Sequence, residues 1–231
     1  TSCGPAGATA LADGLQSLTC LLTLRSGWNR IGSEGASHLA RALLNLTGLT
    51  DLNLAGNDLL DFNGDSPSGL EVLAPSIARM SNLTSLGMGN NTACRNSRPV
   101  ENLSDVSRAI AALAVALHQK PNLQLLVLPK IDFDLSPETP DAAKEVYGPL
   151  GEALLGMDKL RQLSCGIKPF ALVFKDSLPD ELAQRGKEDF KILEYVRELR
   201  SQGTVPCSML RLLIIGMGEV GKTCLQRALF N

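Results

Sequence analysis

Aromatic residues are scarce in this 231-residue chain: one Trp, two Tyr and six Phe, 4% of the whole. One large core organised around stacked rings is therefore excluded. Histidine is scarcer still. His38 and His118 fall on helical patterns with no partner at ligand spacing, so they read as surface or packing residues and no histidine metal centre is expected. Excess charge is also absent, the formal net charge being −2, which removes the electrostatic case for nucleic acid or an anionic membrane surface. The six cysteines (Cys3, Cys20, Cys94, Cys165, Cys207, Cys224) lie far apart with no C-x-x-C pair. That spacing suits a reduced, cytoplasmic chain better than a disulfide framework or a zinc site. No apolar run approaches the ~18 residues of a membrane span, and no basic-then-apolar leader opens the chain. With 44% hydrophobic and 20% charged residues the chain is globular rather than disordered.

What is abundant is leucine, 42 residues of it. The leucines repeat in a fixed unit: Leu-small-x-x-Leu, five intervening residues, then Leu-x-x-Leu-x-apolar-x-x-Asn. Copies run over Leu11, Ala12, Leu15, Leu21, Leu24 and Asn29; Leu39, Ala40, Leu43, Leu49, Leu52, Leu54 and Asn57; and Leu73, Ala74, Ile77, Leu83, Leu86, Met88 and Asn91. A fourth uses Leu113, Ala114, Leu117, Leu123, Leu126 and Leu128, with Ile131 in place of Asn. A weaker fifth uses Leu150, Gly151, Leu154, Leu160, Leu163 and Cys165, ending at Lys168. Internal spacings stay at 4, 6 and 3, while successive copies start 28, 34, 40 and 37 residues apart.

The first half of each unit places apolar residues at i and i+3/i+4, a helix face. The second half alternates, as a half-buried strand does. Each unit is thus one helix and one short strand that must stack on a neighbour to bury its face, with the asparagine amide turned inward onto backbone groups of adjacent units. The spacing resembles the leucine-rich-repeat family of the ribonuclease-inhibitor-like type over about residues 4–168, most closely at Asn29–Leu43. The resemblance implies an α/β solenoid of about five repeats, its longer loops starting at Asp58, Thr92 and Asp132.

Residues flanking the strand leucines would line the inner face: Thr23, Arg25, Gly27; Asp51, Asn53, Ala55; Ser85, Gly87, Gly89; Leu125, Val127, Pro129; Gln162, Ser164, Gly166. The set is small, mixed and nearly uncharged, with no convergent catalytic group. It reads as a protein-docking surface, the alternative being a spacer or regulatory arm. Trp28 is a hot-spot candidate, its alternative a loop-packing role. N-x-S/T sequons at Asn45, Asn82, Asn90 and Asn102 follow from the repeat register, where Asn-Leu-Thr hands helix over to strand.

After Lys168 the register stops. Residues 169–206 read as a cap (Pro169 to Lys175), a short turn at Ser177–Leu182 and a linker helix over Glu188–Gln202, with Gly203 and Pro206 stopping it.

Residues 207–231 carry the sharpest chemistry. The apolar run Leu210-Arg-Leu-Leu-Ile-Ile215 reads as a buried strand, and the helix-forming Cys224–Phe230 closes the segment. Between them lie Gly216, Met217, Gly218, Glu219, Val220, Gly221, Lys222 and Thr223, the pattern G-x-x-x-x-G-K-[ST] in strand–loop–helix context. Glycines there let successive N–H groups curl around phosphate oxygens, and the helix N-terminus aims its positive end at them. Lys222 would bind the β- and γ-phosphates, and Thr223 would offer its hydroxyl to Mg²⁺. No acidic magnesium partner, water-orienting group or base-reading motif follows before Asn231, so no catalytic residue is assigned and the segment alone is expected not to hydrolyse nucleotide or to tell GTP from ATP.

Repeats, a linker helix, then a phosphate loop is an order that resembles the Roco family, in which a Roc GTPase domain follows the repeats and a COR domain follows Roc. The stretch Arg185–Gly203 is similar to that family's connecting helix. The resemblance implies a cytoplasmic GTP-binding parent with Mg²⁺ as cofactor, dimerising through COR and in some members carrying a protein kinase domain. On that reading the chain, which opens at Thr1 in mid-pattern, is a fragment ending inside a truncated Ras-like domain. The alternatives are an ATP-binding P-loop protein, a Roco-type Ser/Thr kinase parent, and an interaction protein with a non-functional nucleotide site.

Overall fold

The computed structural model describes residues 3–60, 67–91, 103–129, 140–164 and 189–201. Helices and strands alternate along it: α1 (Gly4–Leu15), β1 (Thr23–Arg25), α2 (Gly32–Leu43), β2 (Asp51–Asn53), α3 (Gly69–Arg79), β3 (Ser85–Gly87), α4 (Leu103–His118), β4 (Leu125–Val127), α5 (Pro140–Leu155), β5 (Gln162–Ser164) and α6 (Asp189–Ser201). The five strands form one parallel sheet in the order β1-β2-β3-β4-β5. Its register is continuous: Leu24 pairs with Leu52, Leu52 with Leu86, Leu86 with Leu126 and Leu126 with Leu163. From α1 to α5, each helix packs on the next.

Each helix hands over to its strand in the same way. Leu46 N–H donates to Leu43 O and Leu49 N–H to Leu46 O, two successive tight turns; the pairs repeat at Leu18 and Leu21, Met80 and Leu83, Lys120 and Leu123, and Met157 and Leu160. This fixed handover explains the invariant leucine spacing: from α2 onward the helix end, both turns and the strand each turn a side chain inward, while Leu18 in the first unit is exposed. Leu39, Leu43, Leu49, Leu52, Leu73, Ile77, Leu83, Leu86, Leu113, Leu117, Leu123 and Leu126 are accordingly buried. Burying each such side chain stabilises the fold by roughly 1.5–3 kcal/mol.

Polar ties join neighbouring helices. Ser68 caps α3 through Glu71 N–H, while the Glu71 carboxylate accepts from Ser68 N–H at 2.8 Å, a capping box. Ser76 Oγ, buried, donates to Ala40 O of α2 at 2.8 Å. Pro75 lies inside α3 but on its exposed side, where water can satisfy the carbonyl that loses its donor.

The fold-class expectation is corrected here. The structure is α/β with alternating helices and five parallel strands in one sheet, in place of a ribonuclease-inhibitor-like leucine-rich-repeat solenoid followed by the start of a Ras-like domain. Leucine spacing reports a helix face followed by a half-buried strand, which a parallel α/β sheet with one uncovered face also produces; it does not report curvature or equivalence of units. The units are in fact unequal, α1 to α3 spanning 11 or 12 residues and α4 and α5 16 each. The expected Ras-like start, 207–231, lies outside the described residues.

The chain divides into two compact units, Thr1–Leu193 and Glu194–Asn231. The described part of the second, the end of α6, contains buried Tyr195 and Val196. Burial raises the pKa of the Tyr195 hydroxyl above its ordinary value, and that oxygen has no hydrogen-bond partner among the described residues. A helix, Asp189–Ser201, covers the stretch Glu188–Gln202 that was expected to be a linker helix. The expected cap and turn, Pro169–Lys175 and Ser177–Leu182, lie outside the described residues.

Candidate functional site

Two sites were expected, a phosphate loop and a docking face. Gly216, Met217, Gly218, Glu219, Val220, Gly221, Lys222 and Thr223 all lie outside the described residues, as do Leu210–Ile215 and Cys224–Phe230. Cys94, Asn102 and Cys165 are outside as well, while Cys3 and Cys20 are exposed free thiols. Among the described residues no cluster of three or more His, Cys, Asp or Glu side chains could hold a metal, and no helix is long and apolar enough to cross a membrane.

The docking face is described. Parallel register brings Thr23, Asp51, Ser85, Leu125 and Gln162 into one row, and Arg25, Asn53, Gly87, Val127 and Ser164 into the next. The leucines between these rows point inward, so the rows themselves form the opposite face. Its two ends differ in chemistry. At β3 and β4 it is small and apolar: a Cβ on Gly87 would sit 3.0 Å from the Asn53 side chain, and one on Gly89 2.8 Å from Val127, so neighbouring side chains fill the space glycine leaves. At β1 and β2 it carries charge. Arg25 Nε and Nη2 both donate to Asp51 Oδ2, at 3.1 and 2.6 Å. The arginine side chain is 71% exposed and the aspartate 20%, so the cationic pole of the pair faces outward.

Immediately beyond the strands runs a line of asparagines. Asn57 Nδ2 donates to Ser26 O at 2.7 Å and Leu54 O at 3.1 Å, and its Oδ1 accepts from Asn29 N–H at 2.9 Å. Asn91 repeats this one unit on, donating to Leu54 O and Met88 O while accepting from the N–H groups of Asn57 and Leu59. Each amide thereby bonds its own turn and its neighbour's, as the sequence suggested. Both are buried, where such groups would otherwise be costly. The equivalent positions in the last two copies, Ile131 and Lys168, lie outside the described residues.

One position before each asparagine, the backbone turns left-handed: φ is +62° at Trp28, +68° at Gly56 and +54° at Asn90. Glycine and asparagine tolerate this conformation, whereas a tryptophan there carries strain of roughly 1–2 kcal/mol. Trp28 is nonetheless 70% exposed. Its indole lies across Gly56, where a Cβ would come within 2.6 Å of the ring. One edge of the ring is therefore supported and most of it is open to solvent.

Sequence reasoning missed Lys120. Aligning the helix-to-strand turns puts it level with Leu18, Leu46, Met80 and Met157, of which all but Leu18 are buried, and it is itself only 2% exposed. Its Nζ donates to Ala78 O in the last turn of α3 at 2.6 Å, where a cation favours the helix dipole. Burial pushes its pKa below the ordinary lysine value. The signal was present as a lysine in an apolar register position, hidden because Gln119-Lys-Pro121 reads locally as a loop.

No family model and no curated protein sequence matched the chain.

Proposed function

We propose that this chain couples a guanine-nucleotide-binding phosphate loop, Gly216–Thr223, to a five-stranded α/β body whose exposed sheet face docks a protein partner in the cytoplasm. One observation carries the nucleotide half: G-M-G-E-V-G-K-T stands between an apolar strand-forming run and a helix-forming run. The loop's backbone N–H groups would hold the phosphates, Lys222 would neutralise the β- and γ-oxygens, and Thr223 would ligate Mg²⁺. The order of interaction body, connecting helix and phosphate loop supports a Roco-type GTPase parent rather than an ATP-dependent one. The docking half is supported by a sheet face free of convergent catalytic groups and by the exposed side chains Arg25 and Trp28.

The test is equilibrium binding of Mg²⁺–GTP and Mg²⁺–ATP to a protein that carries this chain together with its downstream sequence. GTP should bind more tightly than ATP, need Mg²⁺ and be lost in Lys222→Ala, with partner binding at the sheet face unchanged. Equal binding by Lys222→Ala contradicts the phosphate-loop assignment, and preference for ATP contradicts the GTPase reading. The 231-residue chain by itself should show no GTP turnover, since no acidic magnesium partner follows Thr223 in it.

A further inference from the structure

We infer that the β1 end of the sheet face binds an extended acidic peptide, with a peptide carboxylate on Arg25 and a neighbouring apolar side chain on the Trp28 indole. This rests on the docking half of the proposed function and names the chemistry of its partner.

Three observations carry it. Trp28 occupies a left-handed position whose equivalents are Gly56 and Asn90, and it recovers little of that strain through burial, being 70% exposed. Strained residues of this kind cluster at ligand-binding and other functional sites. Secondly, Arg25 is oriented in advance. Asp51 engages its Nε and Nη2 from below, and the Nη1 edge makes no hydrogen bond to the described residues. A guanidinium fixed in this way can accept a second carboxylate without paying again to order the side chain. Thirdly, two cationic side chains flank the indole in sequence. Arg25 and Arg30 are both exposed on either side of Trp28, while the Asp51 carboxylate is covered by Arg25. Against a chain of net charge −2 this is a local cationic spot. It pairs arginine with tryptophan, two of the side chains most enriched among those that dominate interface energetics.

Trp28 is the chain's only tryptophan, so its emission reports this spot alone. The probe is a hexapeptide alternating glutamate with leucine or phenylalanine, compared with its glutamine and lysine counterparts. The glutamate peptide should shift the emission to the blue saturably, and more weakly as salt is raised. The glutamine peptide should bind about thirtyfold less tightly, as should the glutamate peptide to Arg25→Ala, the size of a hot-spot truncation. Anisotropy of a labelled glutamate peptide should show the same loss for Trp28→Asn. Equal binding of the glutamine or lysine peptide overturns the acidic assignment and leaves a docking face of other chemistry. Silence from all three peptides overturns both. Undiminished binding to Trp28→Asn overturns the part given to the indole.

Discussion

Neighbouring positions in the same turn follow opposite logic. At Asn57 and Asn91 the side chain is turned inward and its amide joins one strand-to-helix turn to the next, whereas the Asn29 amide bonds within its own turn, to Ser26 Oγ and Gly27 O. One residue earlier, Gly56 and Asn90 do what the backbone asks, whereas Trp28 does the reverse, accepting strain and remaining exposed. The inner line is structural, because losing a buried amide orphans backbone groups on two units at once. The outer position at β1 leaves its ring 70% exposed, supported along the edge that lies across Gly56. A bulky ring kept there against backbone preference points to binding.

That contrast can be broken from its strongest end first. Asn57→Ala removes the acceptor for Asn29 N–H and a donor to Ser26 O, two groups left without that partner, while Leu54 O keeps its bond from Asn91 Nδ2. At roughly 1 kcal/mol for each orphaned group, urea unfolding should show a loss of about 2 kcal/mol. A loss under about 1 kcal/mol would show that the asparagine line is dispensable.

A smaller effect of opposite sign is expected at Lys120. Its equivalents Leu46, Met80 and Met157 are apolar, and Lys120→Met keeps the volume while removing a desolvated charge. The substitution should stabilise the chain by about 1 kcal/mol at neutral pH, as replacements toward the repeat's own preference commonly do. It should also change the pH dependence. The folded pKa of Lys120 lies below its ordinary 10.5, so in the window beneath 10.5 the unfolded chain holds more protons and stability rises with pH. In Lys120→Met that rise should vanish. The comparison belongs below about pH 10.0, above which ionisation of Tyr195 in the unfolded chain acts the other way. Thermal unfolding at neutral pH and again just below that limit reads both effects.

Much of this arrangement was legible in the sequence. The leucine register marked all five strands and the buried faces of the helices, because the two tight turns between helix and strand tolerate no insertion. The asparagine role was legible too, since an amide recurring at a turn has both a donor and an acceptor to offer. Curvature was not, because side-chain periodicity records which way a residue faces and nothing about how units are inclined, and this is where the expected solenoid gave way to a single-sheet α/β description. Lys120 was hidden by reading its neighbourhood as a loop rather than in register. The strain at Trp28 was hidden for a different reason: backbone φ is invisible in composition, and only alignment with Gly56 and Asn90 shows that the position demands a left-handed turn. For the phosphate loop, the signal lies wholly in the sequence, in three glycines, a lysine and a threonine at fixed spacing.

The division of labour between the two neighbouring positions is tested most directly by the urea unfolding free energy of Trp28→Asn. Asparagine is what the equivalent position 90 already carries, so it relieves the strained tryptophan backbone while giving up only a largely exposed ring. The variant should be as stable as the parent or more stable by up to about 1 kcal/mol. A loss of about 2 kcal/mol or more would make Trp28 a packing residue and remove the reason for assigning it to binding.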